Sequence, residues 1–147
     1  MGGDSLLGSW QLWAGLAAAF AALTAVLAKQ GMVGITPDLA TLLRTLVVLL
    51  ALTALMAATG QLRWQQLGSL PRASLIALVL SGLATGASWL CYFRALALGP
   101  VSRVAPIDKL SVVLVAILGA TLLGEQLGVR AWIGVALIAV GGVLVAL

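Results

Sequence analysis

A chain of 147 residues with 63% hydrophobic and 8% charged side chains cannot present the hydrated surface of a soluble domain, where about a quarter of residues are charged. It is also far too apolar for disorder. Eight Lys/Arg against four Asp/Glu give a net charge of +4, but the basic residues are scattered at the ends of apolar runs, which points to anionic headgroups or an anionic solute and away from nucleic acid.

A spanning helix takes roughly 20 mostly apolar residues, so the composition predicts an all-α membrane protein. Five transmembrane helices would fill residues 1–147 as a single membrane domain with short loops. Helix 1 is predicted over 10–28. The residues before it hold Asp4 and no Lys or Arg, unlike a signal peptide. Leu6 stands where a myristoylation site needs Ser or Thr. Helix 1 is therefore expected to stay in the mature protein. Thr36-Pro37-Asp38 has the pattern of a helix start: a capping hydroxyl, a proline in the first turn and an acid at the positive end of the helix. Helix 2 follows over 39–59 and Gly60 ends it. After the longest loop, Pro71 marks the entry to helix 3, predicted over 73–98 and stopped by Gly99-Pro100. Helix 4 is predicted over 101–123 with Pro106 in its early turns, and helix 5 over 129–147.

An odd number of crossings puts the termini on opposite sides. Loops on the N-terminal side carry Arg63, Arg72 and Arg130, and loops on the C-terminal side carry Lys29 and Arg103. That difference is too small to set one orientation by the positive-inside rule. It leaves open insertion both ways up or a single orientation fixed by Arg63 and Arg72. Trp10, Trp13, Trp64 and Trp132 all fall at the N-terminal-side interface and read as an anchoring belt.

Lys29, Asp38, Arg44, Arg94, Arg103, Asp108 and Lys109 gather at the other end of the helices. Ionisable groups inside the hydrocarbon are costly and usually face a cavity or a partner. Arg44 sits two turns into helix 2 between Thr41 and Thr45, where it either binds solute or snorkels to the headgroups. Arg94 and Lys109 read as snorkelling or ion-paired. Asp108, with Ser111 one turn on, is either a proton carrier or an ion-pair partner, and the second reading is preferred. Pro106 removes a backbone hydrogen bond, which makes helix 4 a candidate interrupted helix. On helix 3, Ser81, Thr85, Ser88 and Tyr92 recur on one face with Trp89 beside them. The stripe suits a solute pathway or helix–helix hydrogen bonding. Gly82 and Gly86 form a GxxxG on the adjoining face. Gly134, Gly141 and Gly142 make helix 5 a candidate interface helix. With no histidine and Cys91 as the single cysteine, the chain offers no disulfide, no Cys/His metal cluster and no nucleophile–base pair. An enzyme is not expected, and neither is a cofactor or a metal.

Lys29 at the end of helix 1, Arg44 early in helix 2, and CYFRALALGPVSRVAPIDKLSVVLVAILGATLLGEQLGVRAWIGVALIAVGGVLV from Cys91 to Val145 together resemble an EamA-type domain of the drug/metabolite transporter superfamily. The resemblance covers nearly the whole chain. Most members have ten helices built as two inverted five-helix repeats; this chain is similar to one repeat and to the five-helix bacterial and archaeal family. The resemblance implies a secondary transporter of a small metabolite in the inner (plasma) membrane. It would work as an antiparallel homodimer, with the bilayer, a small-molecule solute and itself as partners. Substrate contacts are expected from Arg44, Ser81, Thr85, Ser88, Trp89, Tyr92 and Asp108. The alternative is a non-transporting membrane subunit that assembles with another protein. The four-helix small multidrug resistance relatives carry a membrane-embedded acid in their first helix. Helix 1 has none here, which argues against cation/proton antiport of that type.

Overall fold

The computed structural model describes residues 9–63 and 68–147. Asp4, Leu6 and Trp64, on which the readings of the N-terminus and of the aromatic belt partly rest, lie outside them. The described chain forms α1 (Trp10–Gly31), α2 (Pro37–Ala58), α3 (Arg72–Leu98), α4 (Val101–Asp108), α5 (Ser111–Leu122) and α6 (Val129–Ala146), with no strand among the described residues. Helices α1, α2, α3 and α6 are each long and apolar enough to cross a bilayer, and Val101–Leu122 makes the fifth crossing from α4 and α5 together. The helices cluster into two compact units. One is Met32–Ala97, with α2 and nearly all of α3; the other joins α1 to Leu98–Leu147.

In the first unit the helix ends follow local chemistry. Thr36 is extended and its Oγ1 accepts the Leu39 N–H at 3.4 Å, with Pro37 in the first turn. This is the capping arrangement that the sequence predicts, and it places Asp38 inside α2. At the far end Gly60 adopts a φ of +67°. That left-handed turn lets the Gly60 and Gln61 N–H groups donate to the Ala57 and Met56 carbonyls at 3.2 and 2.9 Å, closing the last carbonyls of α2 in a Schellman motif. A side chain with a Cβ would strain that turn.

In the second unit α6 packs along α4 and α5, and α1 packs on α4. The fourth crossing is not the continuous helix expected over 101–123: it breaks at Lys109-Leu110. Pro106 has no N–H to offer the Ser102 carbonyl. Just beyond it the ladder tightens to three-residue steps, with Leu110 N–H on the Ile107 carbonyl, Val112 on Lys109 and Val113 on Leu110, each at 3.0 Å. Helix α6 approaches closely beside the break. A Cβ on Gly142 would stand 3.1 Å from the Pro106 carbonyl oxygen and 3.3 Å from Leu110 Cδ2.

The three glycines that mark predicted helix 5, here α6, as a candidate interface helix have different surroundings. Gly142 is used inside the chain, against α4. A Cβ on Gly134 or Gly141 would meet nothing within 4 Å, and the same holds for Gly82 and Gly86 on α3, so the GxxxG makes no close contact among the described residues. Trp10 and Trp13 in the first turn of α1 and Trp132 in that of α6 are all exposed, as ring anchors at an interface would be.

Candidate functional site

The site is built on α2 and α3, which run antiparallel. Near the start of α2, Asp38 takes a two-pronged bond from Arg94: Nε donates to Oδ1 and Nη2 to Oδ2, each at 3.0 Å. This is the planar fork that guanidinium and carboxylate form best. Both side chains are more than half exposed. Arg44 lies roughly 10 Å further along α2, at 1.5 Å per residue. Its guanidinium carbon stands 4.3 Å from the centroid of the Trp89 ring and 5.5 Å from that of Phe93, within cation–π range of both. Phe93 is buried, and Arg44 and Trp89 are half-buried. Phe93 follows Trp89 by one turn of α3, so both rings share the face that Arg44 covers.

Arg44 makes no hydrogen bond or ion pair among the described residues. The hydroxyls expected to flank it do not reach it. Thr41 Oγ1 donates to the Pro37 carbonyl at 2.9 Å and Thr45 Oγ1 to the Thr41 carbonyl at 2.7 Å. Such back-bonds are an ordinary resting place for helical threonine. Thr85 likewise donates to the Ser81 carbonyl at 2.9 Å. Ser81, Thr85 and Ser88 are exposed and Tyr92 is half-buried. Helical geometry sets this stripe beside the Trp89–Phe93 face, over roughly 16 Å of α3.

Asp108 belongs to the other unit and is half-buried there. It pairs with Lys109 at 3.1 Å, next to the break in the fourth crossing, in agreement with the ion-pair reading. Lys29, at the end of α1, donates to the Gly99 carbonyl at 3.1 Å. Arg94, Lys109 and Lys29 thus each have an internal acceptor within their own unit. The sequence reading missed two residues. Asp38 reads as a helix start and as one of the gathered charges but not as the partner of Arg94, although it is the one acid between residues 32 and 97. Phe93 was passed over because an apolar aromatic carries no polar signal, although its i+4 spacing from Trp89 could have marked it.

A flat guanidinium on an aromatic shelf, without a carboxylate of its own, can hold a ligand through its in-plane N–H donors. The comparisons with known proteins agree with a solute-handling role. The model of the EamA-like transporter family matches residues 8–147, and the chain belongs to that family. It is therefore a multi-pass membrane protein of a transporter family. It is similar, at 59% identity over 138 residues covering 94% of this chain and 96% of the relative, to a Sinorhizobium sp protein named "Uncharacterized transporter in cobO 3'region". No solved structure matches the chain.

Proposed function

We propose that the chain is a secondary transporter of a small metabolite that works as an antiparallel homodimer in the inner (plasma) membrane. Its residues 1–147 act as one five-span domain. The observation that carries this reading is Arg44: a cation inside a spanning helix, seated on Trp89 at 4.3 Å and lacking an acid, in a chain that belongs to a transporter family. Ser81, Thr85, Ser88, Trp89 and Tyr92 extend from it as a polar and aromatic track on α3. Polar groups facing outward in the middle of a span call for a partner or a path, because lipid offers them no hydrogen bonds. Asp108 is assigned the structural role of holding Lys109.

A homodimer is supported by size. The relative named a transporter is 96% covered by this chain, and five crossings are few for a pathway with two gates. The open glycines Gly134 and Gly141 on α6 are suited to close approach of a second copy. The test is reconstitution of the purified chain alone into liposomes, with counterflow of a labelled panel of amino acids, organic acids and phosphate esters. Mass photometry of the same sample in nanodiscs gives the stoichiometry. Saturable exchange of at least one solute by two-copy particles is expected. No exchange above protein-free liposomes, from well-folded protein, would favour the non-transporting subunit. Active monomers would remove the dimer.

A further inference from the structure

We infer that Arg44 reads an oxyanion, a carboxylate or phosphate group, on the transported solute. This rests on the transport reading of the same site and adds its substrate class. The inference follows from how charge is distributed within Met32–Ala97. That segment holds one acid, Asp38, and both of its oxygens are taken by Arg94 at 3.0 Å. Arg44, roughly 10 Å deeper along α2, is left as a cation without a counter-charge among the described residues. An uncompensated charge inside a span is costly and calls for a partner.

The geometry indicates which partner. The Arg44 guanidinium carbon stands over Trp89 and Phe93, and its N–H donors bond to no acceptor among the described residues. Those donors form a planar fork that matches two oxygens of one carboxylate or phosphate. The threonines nearby supply no competing donor, because Thr41 and Thr45 give their protons to backbone carbonyls. A cationic solute is disfavoured twice. It would meet a like charge, and the aromatic faces that would hold it are already occupied by Arg44. The same oxyanion chemistry exists on a lipid headgroup, so the experiment separates the two sources.

The purified full-length chain, stripped of lipid in a neutral detergent at constant ionic strength, is titrated calorimetrically with succinate, benzoate and inorganic phosphate. Tetramethylammonium serves as the cationic control. At least one anion should bind saturably. Arg44→Gln should weaken it roughly tenfold or more, as expected for a charged hydrogen-bond pair, and Arg44→Lys less. Arg63→Gln, which removes the same charge at the other end of α2, should leave binding unchanged. A thermal shift of the wild type by the bound anion gives a second reading if Arg44→Gln folds poorly. No Arg44-dependent binding of any of the three anions overturns the inference, as does tetramethylammonium binding that survives Arg44→Gln. If phosphatidylglycerol in mixed micelles saturates Arg44 and the small anions do not bind, the oxyanion belongs to lipid and the solute assignment falls. Arg44-dependent anion binding without flux in liposomes would sink the transport reading while leaving oxyanion recognition in place.

Discussion

Gly141 and Gly142 are neighbours on one helix with opposite surroundings, and this gives a clean test of how α6 is seated. Both gain the same helix propensity on conversion to alanine, about 1 kcal/mol in soluble hosts, so that contribution cancels in a comparison. At Gly141 the new Cβ meets nothing within 4 Å; at Gly142 it lies 3.1 Å from the Pro106 carbonyl oxygen and 3.3 Å from Leu110 Cδ2. The carbonyl is backbone and sits beside the break in the fourth crossing, so it cannot rotate away. Gly142→Ala should therefore be less stable than Gly141→Ala. Gly142→Val, which adds two more carbons to the same gap, should cost about 2 kcal/mol, the usual scale of overpacking. That corresponds to roughly 5 °C in the melting temperature of a chain of this size. The assay is thermal unfolding of the purified protein in detergent, followed by the retained folded fraction on size exclusion. Gly142→Val as stable as the parent, or the two alanine variants indistinguishable, would refute the placement of α6 against α4.

Three further outcomes are expected. Trp89→Leu removes the nearer ring under Arg44 and should weaken solute binding about fivefold, the worth of a cation–π contact near 1 kcal/mol. Trp89→Phe should lose less, and equal losses in the two, measured by titration, would remove the ring from recognition. Asp38→Asn and Arg94→Gln should each destabilise the fold while the exchange Asp38→Arg with Arg94→Asp recovers part of the loss in the same melting assay. No recovery would mean the pair is incidental. Ser69→Cys in a Cys91→Ala background reports the orientation of the 2–3 loop. Labelling from outside intact cells should reach about half of the molecules if the weak Lys/Arg bias leaves both orientations populated, whereas complete labelling or none would establish a single orientation.

The spans were legible because long apolar runs leave few alternatives: all five crossings fall where hydropathy and the Gly/Pro punctuation place them. Helix starts with a chemical signature were legible too, as at Thr36-Pro37-Asp38. The break at Lys109-Leu110 was only half legible. Pro106 announced a lost hydrogen bond, but a proline in an early turn is also compatible with an ordinary start, and the close approach of Gly142 could not be read from one helix alone. The site was read one residue at a time. Arg44 and Trp89 were both singled out, on different helices, and only the antiparallel pairing of α2 with α3 brings them within 4.3 Å. Asp38 and Arg94 are 56 residues apart, and no local pattern links them. The polar stripe on α3 gave the opposite lesson. Its periodicity was plain, but periodicity does not reveal that the Thr85 proton is already given to the Ser81 carbonyl.

The most direct measurement is uptake of a labelled organic anion into liposomes holding equal amounts of the wild type, Arg44→Gln or Arg63→Gln, with insertion checked by protease protection. Saturable uptake by the wild type and by Arg63→Gln, lowered roughly tenfold or more in Arg44→Gln, is the predicted result. Uptake that is absent from the wild type for every anion tried, or undiminished in Arg44→Gln, would contradict it.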